Sequence, residues 1–247
     1  MSKTIVITGA GVGLGRCLAQ HFAAQGNEVA LLGRTGAKVE AVAQEIGAKA
    51  LAIECNVASP AAVSAAFEQI KARFGKVDVL INNAAIFQPF QIENATDAQI
   101  VDAVLTNVAG PMLCNREAIP LMKPGSQIIH IGSESVDQNL PHLTVYQGTK
   151  GGIETFGKYL QMELEPKGIR VTVVRAGAMY EEGKVWEVNR DDAIAFHTEA
   201  ARRGIHLQER PLTQFTSLTS VFDTLLSLPS DLKMGLVTLS AAVPTGE

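Results

Sequence analysis

The 247-residue sequence predicts one α/β domain, a doubly wound parallel sheet between two helix layers, three layers (α/β/α) in all. Three observations predict it. Short apolar runs alternate with stretches of helical spacing, which implies successive right-handed βαβ units. The runs are continuously apolar rather than alternating, as expected of strands buried on both faces of a parallel sheet. A glycine-rich segment joins the first run to the first helical stretch, where such a sheet turns sharply.

The elements follow in order. The first strand lies in "KTIVITGAG", and the first helix in "GLGRCLAQHFAAQG", closing at Gly26. "EVALLGR" and "AKVEAVAQEIG" are the second strand and helix, "AKALAIECNV" and "SPAAVSAAFEQIKARFG" the third pair. "KVDVLINNAA" is the fourth strand, and residues 97–121 carry one long helical pattern. "SQIIHIGS" is a strand, 144–165 a helix and "IRVTVVRAG" a strand. Past residue 178 the pattern loosens into "EEGKVWEVNRDDAIAFHTEAARRG", charged and partly helical. An apolar helix in "LTQFTSLTSVFDTLLSLP" and a last strand in "MGLVTLSAA" follow. No linker, repeat or low-complexity segment interrupts residues 1–247, so the expectation is a single domain. Insertions beyond the strand ends of such sheets commonly border the ligand crevice. Residues 181–210 are therefore a candidate substrate lid, with a surface excursion of no special role as the alternative.

Composition narrows the function. With 47% hydrophobic residues, 19% charged residues and a net charge of −4, nothing points to nucleic acid or an anionic membrane surface as partner. Cys17, Cys55 and Cys114 fit neither a metal-ligand spacing nor a disulfide framework, which suggests a reducing compartment. The five histidines form no HxxxH pattern, so no metal is expected. "MSKTIVITGAG" lacks a signal-peptide core, and no apolar run approaches the ~18 residues of a membrane span. A cytoplasmic protein is the expectation.

Two segments carry chemistry. In "TGAGVGLG", glycines stand at 9, 11, 13 and 15; a fingerprint with glycines at 9, 11 and 14 fails at Leu14, but Gly9-x3-Gly13-x-Gly15 is met. Such a turn brings backbone close to a pyrophosphate at a helix N-terminus, although a tight connection alone would also use it. At the end of the second strand, where a carboxylate commonly takes the adenine-ribose hydroxyl of NAD, the sequence has Gly33 and Arg34. A guanidinium can bind a 2′-phosphate bidentately, which favours NADP with NAD as the alternative; a solvated surface arginine is the competing explanation. In "TVYQGTKGG", Tyr146 and Lys150 are four apart and would share a helix face. An ammonium beside a phenol favours phenolate and could make a general acid/base. Alone, the spacing is better explained as one turn of an ordinary amphipathic helix, since YxxxK is common by chance.

Together with further motifs, these segments resemble the short-chain dehydrogenase/reductase family, single-domain branch, over residues 4 to about 178. Thr8 to Gly15 matches TGxxxGxG; "CNV" matches the family's Asp-Val at adenine with Asn56 for the aspartate, followed by Val57. "NNAA", Asn82 to Ala85, matches NNAG; "TNVAG" supplies Asn107; Ser133 stands thirteen residues before Tyr146. The resemblance implies a Rossmann-type fold and a tetrad of Asn107, Ser133, Tyr146 and Lys150. Tyr146 would exchange a proton with the substrate oxygen, and Ser133 would hydrogen-bond that oxygen. Lys150 would hold the nicotinamide ribose and lower the tyrosine pKa, and Asn107 would hold a relay water. The cofactor would be bound by Gly9, Gly11, Val12, Gly13, Leu14, Gly15, Arg34, Asn56, Val57, Asn83, Ala84, Tyr146, Lys150 and Gly177. The implied substrate is a small carbonyl compound or alcohol, and the implied assembly a homodimer or homotetramer.

The match breaks at Ala85 for glycine, at Ala176-Gly177 for Pro-Gly, at Glu181 for the threonine near the nicotinamide carboxamide, and at the absent Asp-Gly-Gly near the C-terminus. Glu134, Asp137 and His142 lie near the tetrad in sequence, with a solvated or structural role the plainer expectation. For Trp186, Phe196 and His197, packing is the plainer expectation than substrate contact. Two functions follow. One is an NAD(P)-dependent oxidoreductase interconverting a carbonyl and a secondary alcohol. The other, motivated by the departures, is a dinucleotide-binding sensor or interaction protein with little catalysis.

Overall fold

The structure, a computed structural model, describes residues 2–180 and 188–242. The chain alternates as its apolar runs require. β1 (Thr4–Thr8) leads to α1 (Gly13–Ala24), β2 (Glu28–Gly33) to α2 (Gly36–Ile46), and β3 (Ala50–Glu54) to α3 (Pro60–Phe74). β4 (Val79–Asn82) is followed by α4 (Asp97–Val104), a π-helical turn Leu105–Ala109 and α5 (Gly110–Ala118). β5 (Gln127–Ser133), α6 (Thr144–Leu164) and β6 (Arg170–Ala176) complete the central part. β7 (Met179–Tyr180), α7 (Arg190–Arg202), β8 (Thr213–Gln214), α8 (Phe215–Ser227) and β9 (Leu236–Thr238) follow.

Seven strands form a parallel sheet in the order β3-β2-β1-β4-β5-β6-β9. The order reverses between β1 and β4, and the crevice beyond their C-terminal ends is where sheets of this kind bind ligands. Alternate side chains of β1 serve opposite layers. Ile5 and Ile7 pack with Leu18 and Phe22 of α1 and Phe222 of α8. Val6 packs with Phe67 and Ile70 of α3 and Leu160 and Leu164 of α6. Phe22, Phe222, Leu18 and Ile70 are fully buried, each worth about 1.5–3 kcal/mol of transfer free energy.

Local signals set the boundaries. Ser59 caps α3 by accepting from the Ala62 N–H, Pro60 opens it, and Gly75 at φ 70° closes it. Thr96 and Gln99 form a reciprocal capping box at α4. The single helix expected over 97–121 is instead interrupted by the π turn that contains Asn107. The excursion after β6 begins and ends side by side: β7 pairs with β8, and the Thr213 N–H donates to the Ala178 carbonyl at 3.0 Å. This short second sheet has no counterpart in the sequence expectation. Within the excursion Asn189 caps α7, and Asp191 and Asp192 sit favourably in its first turn. No helix among the described residues is long and apolar enough to cross a membrane.

Candidate functional site

The glycine turn is built against the end of β4. Thr8 Oγ1 accepts from the backbone N–H groups of Asn83 and Ala84, both at 3.0 Å. Asn83 Nδ2 donates back to the carbonyls of Thr8 at 3.0 Å and Gly9 at 3.2 Å. Gly9 and Gly13 take positive φ, 66° and 57°, which disfavours a side chain. A Cβ at Gly15 would lie 2.4 Å from the Gly9 carbonyl oxygen, so the helix can approach the turn only with glycine there. Gly11 packs against Lys38 of α2, and Leu14 is buried. Val12, the exposed N-cap of α1, offers no side-chain hydrogen bond to the first turn. The helix start thus carries backbone donors without a side-chain cap, which suits a pyrophosphate.

At the ends of β2 and β3, Arg34 is exposed and makes no hydrogen bond or ion pair among the described residues. Asn56 is also exposed, and its Oδ1 already accepts from the Ala58 N–H at 3.1 Å, which leaves one lone pair for a ligand. Val57 is buried against Gly110, where a Cβ would come within 2.9 Å of its Cγ2. Glu54, outside the sequence expectation, accepts from the Gly36 N–H at 3.2 Å.

Ser133 ends β5, and Tyr146 stands in the first turns of α6 with Lys150 one turn further on. The Ser133 hydroxyl meets the Tyr146 phenol, and it also donates to Ser135 Oγ at 2.8 Å. Phe87 stands edge-on to the Tyr146 ring, with centroids 4.8 Å apart. Sequence reasoning missed Phe87; its place just beyond "NNAA" was the available signal. Lys150 is 4% exposed and donates from Nζ to the Ile131 carbonyl at 2.7 Å. Its Nζ lies 5.7 Å from the Tyr146 ring centroid.

The electrostatics correct one expectation. Burial pushes the Tyr146 phenol up to about 12, with the Ser133 hydrogen bond pulling partly the other way. Lys150 was expected to lower it, but desolvation dominates, and the ammonium is turned to the Ile131 carbonyl. Burial also lowers Lys150 itself to about 8.

Asn107 is 2% exposed and joins the π turn to two neighbours. Its Nδ2 donates to the Ile86 carbonyl and to Thr149 Oγ1, so both amide hydrogens are used. A water held by this side chain would have only the second Oδ1 lone pair, because the first accepts from the Ile86 N–H. Below the tetrad runs a buried chain that the sequence did not reveal. Asn82 donates to Asn115 at 2.9 Å, and Asn115 Nδ2 meets His130 Nε2 at 3.3 Å.

The remaining candidates are resolved by their partners. Glu134 is mostly buried and accepts from the Ala178 N–H at 3.2 Å, Arg210 at 2.9 Å and Ser240 at 3.0 Å. Asp137 pairs with Arg175, which also holds Glu154 at 2.7 Å. His142 lies in the left-handed region at φ 58°, and its carbonyl accepts from the Phe90 N–H at 2.7 Å. Phe196 is buried packing, edge-on to His197. A Cβ at Gly177 would lie 2.7 Å from the Leu239 carbonyl oxygen, so this segment is tightly held. Ala176 is buried and Ala85 exposed, while Glu181 and Trp186 fall outside the described residues.

Residues 3–191 match the family model described as short chain dehydrogenase. A 3-oxoacyl-[acyl-carrier-protein] reductase of Staphylococcus aureus is 30% identical over 237 residues, covering 94% of this chain and 92% of that protein. An uncharacterised oxidoreductase of Methylorubrum extorquens is 33% identical over 185 residues, 73% of this chain and 75% of the relative. The crystal structure of a 3-ketoacyl-(acyl-carrier-protein) reductase from Brucella melitensis, complexed with NADH, superposes with a TM-score of 0.80. It is 28% identical, and the match covers 96% of each chain. The chain belongs to the short-chain dehydrogenase family. It is an NAD(P)-dependent oxidoreductase with a Rossmann-type fold.

Proposed function

We propose that the protein interconverts a carbonyl compound and a secondary alcohol, with NADP preferred to NAD. The observation that carries this is the convergence of Ser133, Tyr146 and Lys150 beside the crevice at the β1/β4 switch point. Gly9 to Gly15 would hold the pyrophosphate, Arg34 a 2′-phosphate, Asn56 and Val57 the adenine, and Asn83, Ala84 and Gly177 the inner part of the dinucleotide. The bound cofactor supplies or takes the hydride. Ser133 holds the substrate oxygen, and Tyr146 exchanges a proton with it at the phenolic oxygen. Lys150 holds ribose hydroxyls. Asn107 fixes the geometry around Thr149 and Ile86 and serves the proton path. The Tyr146 phenol, raised to about 12 by burial, carries its proton at neutral pH and can donate it to a substrate oxygen. The names of the S. aureus and B. melitensis relatives make 3-oxoacyl thioesters the first substrates to try.

The excursion through 181–210, with α7 as its described part, is proposed as the substrate lid. A homodimer or homotetramer is supported by exposed Val101, Val104, Leu105 and Met112 along α4–α5 and Tyr159 and Met162 on α6. A reducing, cytoplasmic setting suits three cysteines that are few, odd in number and far apart in sequence. The test is NADPH consumption with a panel of 3-oxoacyl thioesters, ketones and aldehydes. Turnover supports the proposal; tight NADPH binding with no turnover across the panel favours a sensor instead.

A further inference from the structure

Glu54 takes no part in the proton chemistry, yet it brackets Arg34. Its backbone pairs with Gly33 in the β2–β3 register. Its side chain accepts from the N–H of Gly36, the first residue of α2 and two residues beyond Arg34, at 3.2 Å. The contact is close: a Cβ on Gly36 would lie 2.5 Å from Glu54 Oε2, so only glycine lets the carboxylate settle there. Thr35, at the N-cap, makes no side-chain capping hydrogen bond, and Glu54 caps the helix from a neighbouring strand instead. Glu54 is itself exposed, open to whatever occupies the Gly33–Gly36 segment.

We infer that Glu54 is a cofactor-specificity residue that opposes Arg34 and makes the protein a user of both dinucleotides. The inference rests on the proposed placement of the adenine ribose at Gly33–Gly36. A 2′-phosphate would seek the Arg34 guanidinium and the Gly36 amide at the start of α2. Glu54 already holds that amide and adds a negative charge beside it, so it acts against the phosphate twice. Toward an unphosphorylated ribose the same carboxylate is an acceptor for the 2′-hydroxyl, the service a carboxylate performs in NAD sites. Arg34 and Glu54 thus pull the preference in opposite directions.

The experiment is a fluorescence titration of the full chain with NADPH and with NADH, at low and high salt, for wild type, Glu54→Gln and Glu54→Lys. Glutamine keeps an oxygen for the Gly36 N–H and removes only the charge. The NADPH-to-NADH affinity ratio should rise roughly three- to fivefold in Glu54→Gln, the worth of an exposed charge contact. It should rise further in Glu54→Lys, and both effects should shrink at high salt. Binding of both dinucleotides with a ratio unmoved by either substitution overturns the role of Glu54 alone. Binding of neither by the wild type overturns the cofactor placement and this inference with it.

Discussion

Asn107 grips both backbone groups of Ile86: its Oδ1 accepts from the Ile86 N–H at 2.7 Å, and its Nδ2 donates to the Ile86 carbonyl at 2.9 Å. A third bond, to Thr149 Oγ1 at 3.1 Å, reaches α6 between Tyr146 and Lys150. One amide therefore ties the segment after β4, the π turn and the tyrosine-bearing helix together. Asn107→Ala should cost about 2–3 kcal/mol by urea unfolding, since three bonds go and backbone groups lose their partner. Asn107→Asp keeps the acceptor but sets a carboxylate against the Ile86 carbonyl, and should also lower activity. An unchanged unfolding midpoint in both variants would refute the tie.

The glycine turn makes a steric prediction. Gly15→Ala places a methyl 2.4 Å from the Gly9 oxygen and 2.7 Å from Asn83 Nδ2. The Gly9 contact is backbone and cannot swing aside, so α1 must shift away from the turn. Dinucleotide affinity should fall more than about tenfold, with roughly 1–3 kcal/mol of stability lost to overpacking. Calorimetric titration with NADPH gives the first figure and urea unfolding the second.

Glu134 holds the base of the excursion. It binds Ala178 as the chain leaves the sheet, Arg210 as it returns, and Ser240 beyond β9. Glu134→Ala would strand Arg210, which is only partly exposed, and leave the Ala178 amide without its acceptor. We expect a loss of about 2 kcal/mol, below the range for a fully buried pair. Hydrogen exchange should quicken in α7 more than in the sheet; uniform quickening would argue against a local role.

His130 predicts an acid limb. Burial, then the charge of Lys150, lowers its pKa from 6.5 to about 3. Between those values the unfolded chain binds a proton that the folded chain refuses. Stability is therefore full above pH 6.5 and falls as the pH drops toward 3, by up to about 1.4 kcal/mol per pH unit. Urea midpoints at pH 4.5 and 7 should differ less in His130→Asn than in the wild type. Equal differences would show that other groups set the limb.

Much of this was legible in the sequence because it is local. Continuous apolar runs gave the strands, and Gly26 and Gly75 marked helix ends. Tyr146, Lys150 and the glycine turn announced themselves by spacing. The π turn was not legible: its residues carry ordinary helical patterning, and its anchor, Ile86, is 21 residues from Asn107. Glu54, the Asn82–Asn115–His130 chain and the partners of Glu134 were hidden for the same reason, since these groups meet only in the folded sheet. The raised Tyr146 pKa was misjudged because helical spacing reveals a neighbouring charge but neither the desolvation of the phenol nor the turn of the ammonium toward the Ile131 carbonyl.

The most direct test compares Tyr146→Phe with the wild type in NADPH-dependent reduction of a carbonyl panel led by 3-oxoacyl thioesters, with NADPH binding followed in parallel. Removing the phenolic oxygen should lower kcat at least a hundredfold, the range of a lost general acid, while NADPH still binds. Undiminished turnover in Tyr146→Phe would contradict the assignment of proton transfer to Tyr146.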